Sequence, residues 1–343
     1  MTARDVPAAP APATDVPPGP PAEAGWVPDV LGEGFEALTL PLADDDEGEV
    51  VATLVRYRPP DAVEVRPARA VLYLHGWNDY FFQVPLARYW HAQGAAFYAL
   101  DLRKYGRSLR PHQTPNYVDD LAVYDEELDA AVDVVRAELG EHARLMVMAH
   151  STGGLVAPLW AQRRPGVVSG MVLNAPWLEL RGSTVLRTLS MPVVQALART
   201  QPKAPLITTD PGFYARTIHV DHGGEWEYDT AWRPTPYFPV RPGWIQAILT
   251  GHARVARGLD LPFPVLVAVS ARSVLQTRWR EAMREADAVL DVDLLARRAV
   301  LLGPVVTVVR IAGGLHDLTL SRAPARERFY AEVTRWTAAY GWG

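Results

Sequence analysis

Six short apolar runs alternate with helical segments, and this alternation constrains the fold more than any other feature of the sequence. Short apolar runs of this kind, the first of them ended by Gly76, are typical of strands buried on both faces of a sheet. The runs span residues 70–76, 95–103, 144–151, 167–177, 263–270 and 305–314. Between the second and the third, Leu121, Leu128, Val132 and Val135 follow a helical period. The pattern predicts a mostly parallel sheet with helices on both faces and a site at the carboxyl ends of the strands.

Two further strands precede this region. FEALTLPL and VVATLVRYR flank the acidic turn ADDDEGE, a pattern that predicts an antiparallel hairpin. With the six buried runs, the hairpin makes a predicted eight-stranded sheet in a domain that spans residues 26–343 of an α/β protein.

Two segments stand outside this pattern. Residues 1–25 are rich in proline and alanine, and because they can bury little apolar surface we expect a disordered tail. Residues 178–260 have no clear strand but are dense in tryptophan, tyrosine and proline. A long insertion inside a compact domain is usually a functional loop or lid, so we predict a cap over the site. A plain surface insertion is the alternative.

The composition excludes several classes of protein. The net charge is -5 with no basic block, which argues against a nucleic-acid surface. The absence of cysteine excludes disulfides, thiolate zinc sites and a cysteine nucleophile. No apolar run has the length of a transmembrane segment, and the first residues lack the pattern of a signal peptide. We therefore expect a cytoplasmic protein, and the sequence makes no prediction about its oligomeric state.

Ser151 is a candidate nucleophile. It lies in VMAHSTGG, where an apolar run ends and a helical pattern begins, as in the strand–turn–helix elbow that exposes a nucleophilic serine. The elbow needs small residues two before and two after the serine, and these are Ala149 and Gly153. Alanine replaces the usual glycine at the first position. The alternative is that Ser151 caps the following helix.

Other candidates occur in the order that such a site requires. His316, in IAGGLHDLTL, follows the last predicted strand and is a candidate general base. Asp287, Asp291 and Asp293 are candidates for the acid that orients the histidine, since the chain order is serine, acid, histidine. The backbone N–H groups of Trp77, after LHG, and of Thr152 are candidate oxyanion donors.

LHGW, DLRKYGRS, AHSTGG and GGLHD, in this order and spacing, resemble the α/β-hydrolase superfamily. Within it the sequence is most similar to the monoacylglycerol lipase, lysophospholipase and serine aminopeptidase-like group. The resemblance covers about Phe35 to the C-terminus and implies an α/β-hydrolase fold with a cap insertion. It also implies Asp287 as the acid, with Asp291 as second choice, although the segment before them is longer than the family pattern.

The sequence therefore predicts a serine hydrolase that cleaves a small-molecule carboxylic ester with an apolar acyl group through Ser151, His316 and Asp287. A serine aminopeptidase or amidase is an alternative, because Glu225, Glu227 and Asp229 could receive a free amine. A non-catalytic ligand-binding protein on the same fold is a third possibility.

Several other patterns predict no further chemistry. GEGFEA precedes a strand rather than a helix, so no dinucleotide cofactor is expected. HVDHGGEWE matches no helical zinc spacing, so no metal is expected and a solvated loop is favoured. Arg103 and Arg107, in DLRKYGRS, are interpreted as parts of a structural turn.

Overall fold

The computed structural model describes residues 25–60, 68–180, 184–206 and 212–342, with only the backbone of 184–191. All but one residue of the predicted tail lies outside these ranges. Within these ranges, nine strands form one sheet. They are β1 (Val27–Pro28), β2 (Phe35–Asp45), β3 (Gly48–Tyr57), β4 (Arg69–Leu74), β5 (Ala96–Asp101), β6 (Arg144–His150), β7 (Gly170–Asn174), β8 (Val265–Ser270) and β9 (Val306–Ile311).

The strand order is β1-β2-β3-β5-β4-β6-β7-β8-β9. The pairs from β1 to β5 along this order are antiparallel, and those from β5 to β9 are parallel. The predicted mostly parallel α/β sheet is therefore confirmed, with one difference. β1 adds a ninth strand, which the sequence analysis missed because two residues carry no periodicity.

Eight α-helices connect or flank the strands within the described ranges. They are α1 (Val84–Ala92), α2 (Asp125–Leu139), α3 (Gly153–Arg163), α4 (Thr184–Thr200), α5 (Phe213–Ile218), α6 (Pro242–Val255), α7 (Val292–Ala299) and α8 (Ala323–Trp336). None of these helices has the length and apolar character needed to cross a membrane.

The helices bury apolar surface on both faces of the sheet. One core packs side chains of α2, α3, α6 and α7 against the sheet. The other packs α1 and α8 against the opposite face, with Trp90 and Phe329 fully buried. Burial of a side chain of this size contributes about 1.5–3 kcal/mol. The two cores hold the strand ends in fixed positions, which matters for the groups that follow them.

Within the region predicted as a cap, the described residues contain the helices α4, α5 and α6 and no strand of the sheet. This chain between β7 and β8 is called the insertion below. A third apolar cluster joins it to the loops of the sheet edge through Tyr80, Phe82, Tyr214, Ile218 and Trp232. The insertion therefore packs on the same edge at which the parallel strands end.

Candidate active site

Ser151 lies at the sharp turn between β6 and α3. Its φ of 50° is in the left-handed region, which is unfavourable for a residue with a side chain. The turn is held from both sides, since the Ser151 N–H donates to Asn174 O at 3.1 Å and Trp177 N–H donates to Ser151 O at 2.9 Å. A strained serine between a strand and a helix has the geometry of a nucleophile elbow.

Close backbone packing around this turn requires glycine. A Cβ at Gly153 would lie 2.3 Å from His75 O and 2.9 Å from Leu74 O, closer than any side chain allows. A Cβ at Gly76 would lie 3.0 Å from Ser151 Cβ. By contrast, Ala149 is accommodated within β6. The loop after β4 is thus in direct contact with the turn that carries Ser151.

The structure brings Ser151, His316 and Asp287 together. Ser151 Oγ lies 2.9 Å from His316 Nε2, and His316 Nδ1 lies 2.9 Å from Asp287 Oδ2. Because the carboxylate accepts from Nδ1–H, the partners assign the proton to Nδ1 and leave the Nε2 lone pair to accept the serine hydroxyl. The histidine and the aspartate are buried, so water does not compete for these bonds.

Asp287 reaches the histidine from a long excursion after β8. It comes well after Ser270, the end of that strand. Its second oxygen, Oδ1, accepts hydrogen bonds from Val289 N at 2.8 Å and Leu290 N at 2.7 Å. These bonds fix the carboxylate, because rotation toward or away from the histidine would break them.

The other two candidate acids have different partners. Asp291 caps α7, accepting hydrogen bonds from Asp293 N and Leu294 N at 3.1 Å each. The Asp293 carboxylate binds Arg310 at 2.6 Å. Neither side chain is hydrogen-bonded to His316.

Trp77 and Thr152 are both placed beside Ser151. Thr152 follows it directly at the start of α3, where backbone N–H groups are free of intrahelical partners. Trp77 follows Gly76, at which an added Cβ would lie 3.0 Å from Ser151 Cβ. The positive end of α3 and the loop after β4 thus meet at the serine.

Asn174, the last residue of β7, contacts both the serine turn and the histidine loop. Its carbonyl accepts the Ser151 N–H, while its side chain donates to Asp317 at 2.6 Å and accepts from Leu318 N at 3.0 Å. Sequence analysis did not identify this residue. The sequence signal for Asn174 is a polar residue at the end of a buried apolar run.

A second cluster of buried ionisable groups lies next to Ser151 and His316. Among the described residues, Asp79, His150 and Asp317 have potential ligand atoms within 4.8 Å of one another. Burial lowers the pKa of His150 to about 4 despite the charge of Asp317. Burial alone would raise the pKa of Asp317, but His150 and hydrogen bonds from Thr319 and Asn174 lower it.

This cluster is arranged as a charge network rather than as a cation site. Asp317 accepts four hydrogen bonds, from Thr319 N, Thr319 Oγ1, Asn174 Nδ2 and Gln83 Nε2. The Arg233 guanidinium lies 3.4 Å from Asp79 and would repel a metal ion. Sequence analysis missed these groups, although His150 and Asp317 directly adjoin Ser151 and His316.

The residues of HVDHGGEWE lie on the surface of the insertion. His219 Nδ1 is 3.4 Å from Asp221, whose side chain is exposed. In the described part of the chain these residues do not meet as a group of three ligands. The interpretation as a solvated loop agrees with this geometry.

Arg103 and Arg107 are buried structural cations. Arg103 binds Glu127 at 2.6 Å, and Arg107 binds Asp29 at 2.6 Å and Asp101 at 2.8 Å. Each joins chain segments that are distant in sequence.

Aromatic side chains pack against one another beside Ser151. The Trp77 ring lies 5.5 Å from that of Tyr237 and 5.3 Å from that of Trp244, and the Trp177 ring lies 5.9 Å from that of Trp244. Trp177 is also bonded through its N–H to Ser151 O. Trp77, Trp177 and Tyr237 are half-buried and so keep apolar surface available.

Solved structures with this fold include several lipases and esterases. A soluble variant of monoglyceride lipase from Saccharomyces cerevisiae is 15% identical, with a TM-score of 0.59 over 88% of this chain and 95% of that one. The monoacylglycerol lipase of Paleococcus ferrophilus is 18% identical, with a TM-score of 0.54 over 78% and 93%. A carboxyl esterase from Bacillus coagulans is 11% identical, with a TM-score of 0.61 over 89% and 98%.

These similarities and the sheet topology define the class: the chain has the α/β-hydrolase fold. Residues 65–270, more than half of the chain, match the family described as serine aminopeptidase, S33, and the chain belongs to that hydrolase family. The resemblance drawn from the sequence motifs is thereby confirmed. The matched range includes Ser151 but ends before Asp287 and His316. A search of curated protein sequences finds no significant match.

Proposed function

We propose that the protein is a serine esterase in which Ser151 is the nucleophile, His316 the general base and Asp287 the acid that orients the histidine. The observation that carries the proposal is the continuous pair of 2.9 Å contacts from Ser151 Oγ through His316 to Asp287. A serine hydroxyl reacts with an ester only when a positioned base removes its proton, and this arrangement supplies that base.

The geometry supports a two-step reaction. His316 Nε2 takes the proton of Ser151 as the oxygen attacks the ester carbonyl, and the Asp287 carboxylate stabilises the imidazolium that forms. The N–H groups of Trp77 and Thr152 hold the oxyanion. The imidazolium then protonates the leaving alcohol, and a water molecule, deprotonated by the same histidine, releases the acid from the acyl-enzyme.

The proposed substrate is an ester with an apolar acyl group, such as a monoacylglycerol or a lysophospholipid. The half-buried rings of Trp77, Trp177 and Tyr237 beside the serine support this, because a ligand site of this kind is lined mainly by apolar surface. Tyr237 and Trp244 belong to the insertion, which supports its role as a cap at about residues 178–260. Two of the solved neighbours carry the name monoacylglycerol or monoglyceride lipase.

An aminopeptidase acting through the same three residues is the second candidate, favoured by the name of the family. It needs an anionic pocket for a free amine. Glu225, Glu227 and Asp229 are exposed, and Glu225 lies 3.5 Å from Arg326. Solvated carboxylates of this kind bind an amine weakly. The ester is therefore the better-supported substrate.

Labelling with a fluorophosphonate probe tests the nucleophile. We expect stoichiometric labelling of the wild type, loss of labelling in Ser151→Ala, and normal labelling in Ser169→Ala. Ser169 is a suitable control because its hydroxyl bonds Leu145 O at the opposite edge of the sheet. Equal labelling of wild type and Ser151→Ala would refute the assignment.

A substrate panel tests the bond and the acyl group. We expect kcat/KM for p-nitrophenyl esters to rise at least about tenfold between acetate and a medium-chain ester, because each buried methylene adds transition-state binding. Aminoacyl p-nitroanilides should react more slowly than any ester. Faster cleavage of the anilides would assign the protein as a peptidase instead.

A further inference from the structure

The loop between β4 and α1, residues 75–83 and called the β4 loop, is covered along its length by the second half of the insertion. At its start, the Trp77 ring packs against Tyr237 and Trp244. At its end, the Phe82 ring lies 6.2 Å from Trp226 and 5.3 Å from Tyr228. The β4 loop carries the proposed Trp77 oxyanion donor, so these contacts join that donor to the insertion.

Between Trp77 and Phe82, hydrogen bonds also join the β4 loop to the insertion. The Asn78 side chain donates to Pro234 O at 3.3 Å and accepts from Phe238 N at 3.2 Å. The Tyr80 hydroxyl accepts from Asp229 N at 2.7 Å. Each of these bonds joins residues about 150 positions apart in the sequence, so the insertion helps to hold the β4 loop, together with the bond from Phe81 N to Asp101 Oδ1 at 2.9 Å.

Asp79 and Arg233 form the charged centre of this contact. Arg233 Nε lies 3.4 Å from Asp79 Oδ1, and the two side chains are only 4% and 3% exposed. The guanidinium also lies over the rings of Phe82, Tyr214 and Tyr228 at 5.5, 5.4 and 4.8 Å. Because both side chains are shielded from water, each charge depends on the other for its compensation.

We propose that Asp79 and Arg233 are positioning residues, whose ion pair fixes the β4 loop against the insertion so that the Trp77 N–H is aimed at the oxyanion. This inference rests on the proposed serine hydrolase mechanism. Asp79 follows Trp77 by two positions, so displacement of the Asp79 carboxylate also moves the Trp77 N–H. Oxyanion donors act through preorganised geometry, and a loop that rotates loses that advantage.

The charge state of Asp79 makes this arrangement dependent on pH. Burial raises its pKa to about 7, against the opposing effect of Arg233. The titratable and charged groups facing it are Arg233, Asp317, Asp101, His150, Tyr73, Tyr214 and Tyr228. As pH falls through neutrality, Asp79 gains a proton and its attraction for Arg233 is lost. Turnover should then fall, because the ion pair no longer holds the β4 loop.

Asp79→Asn tests this with kinetics. We expect kcat to fall about 10- to 100-fold while KM changes less than about threefold, because an oxyanion contact strengthens in the transition state. In the wild type, protonation of Asp79 as pH falls through neutrality should add to the decrease of kcat/KM and make the slope of the acid limb of log(kcat/KM) steeper. In Asp79→Asn, which has no carboxylate at this position, that additional slope should be absent.

Glu127→Gln is the matched control. Its carboxylate is equally buried and pairs with Arg103 in another part of the molecule. We expect this control to lower the melting temperature and to leave kcat and the slope unchanged. If Glu127→Gln and Asp79→Asn have the same kinetic effect, or if Asp79→Asn keeps wild-type kcat and slope, the proposal is wrong.

Two further measurements separate folding from positioning. The double variant Asp79→Asn/Arg233→Met removes both charges and should regain thermal stability without regaining kcat. Recovery of both would show that the pair acts only on stability and would overturn the proposal. Fluorophosphonate labelling of the wild type distinguishes this failure from that of the proposed function: an unlabelled wild type refutes the Ser151 mechanism itself, whereas normal labelling with unchanged variants refutes only the positioning role.

Discussion

The carboxyl edge of the sheet and the insertion between β7 and β8 are held together in different ways. At the sheet edge, backbone atoms approach so closely that Gly153 admits no Cβ, and strands buried on both faces fix the loops. The insertion is attached by aromatic rings and by single polar pairs, such as Arg233 with Asp79 and Lys203 with Glu47. The proposed reacting groups therefore lie in the more closely packed region, whereas Tyr237, one of the rings proposed to face the substrate, lies in the insertion.

If this distinction holds, the largest effects should come from changes at the sheet edge. Asp287→Asn should reduce kcat/KM about 10³–10⁴-fold, because an amide that donates toward His316 favours the wrong tautomer of the ring. This corresponds to roughly 4–5.5 kcal/mol of transition-state stabilisation. Steady-state hydrolysis of an activated ester measures it, together with an unchanged melting temperature.

Asp291→Asn is the control for the acid. Because Asp291 caps α7 and asparagine caps almost as well, stability should change by less than about 1 kcal/mol and activity should be retained. Loss of activity in Asp291→Asn with retention in Asp287→Asn would exchange the two assignments.

Gly153→Ala should have the next largest effect. Its methyl group would overlap two backbone carbonyls of β4 and its loop, which cannot move as a flexible side chain could. We expect a loss of about 2–3 kcal/mol in the free energy of unfolding, measured by denaturant titration, and a lower kcat. Ala149→Gly is the comparison, since it only restores the usual glycine and should cost about 1 kcal/mol with activity retained. Equal tolerance of both variants would contradict the packing argument.

The smallest effect should come from Glu47 in the hairpin, which is bonded by Lys104 and Thr114 as well as by Lys203 of the insertion. Burial opposes ionisation of Glu47, but hydrogen bonds from Lys104 and Thr114 outweigh it and lower its pKa to about 2. Since this pKa lies below its unfolded value, the stabilisation is present above about pH 4.5 and is lost as pH falls toward 2. Glu47→Gln should therefore lose about 1–2 kcal/mol at pH 7.

Thermal melts of Glu47→Gln and wild type from pH 7 to pH 3 measure this contribution. The difference between them should shrink as the solution becomes more acidic. Glu49→Gln, at an exposed position in the same hairpin, should match the wild type throughout. If the difference in melting temperature between Glu47→Gln and wild type does not change with pH, the charge of Glu47 is not the source of its stabilising effect.

The same distinction explains what the sequence could predict. The apolar runs predicted β4 to β9, because a buried strand leaves a readable pattern even where, as in β9, burial is only partial. Chain order then indicated Ser151 and His316 and left three candidate acids, of which the family resemblance favoured Asp287. The helices of the insertion were not predicted, since they pack through scattered aromatic residues. Asp79 and Arg233 were missed for a related reason: the burial of a polar side chain depends on a partner far away in the sequence, which no local period records.

The contacts of Asn174 indicate which parts of this molecule can vary in length and sequence. One residue of a central strand bonds the turn of the serine and the loop of the histidine, so the separation of those two groups is set inside the sheet. The length of the excursion that delivers Asp287 and the composition of the insertion can therefore vary without altering that separation. Exchange of the insertion for that of another hydrolase should therefore keep the distance from Ser151 to His316, while changing which esters the proposed enzyme accepts and, through loss of Arg233, lowering kcat.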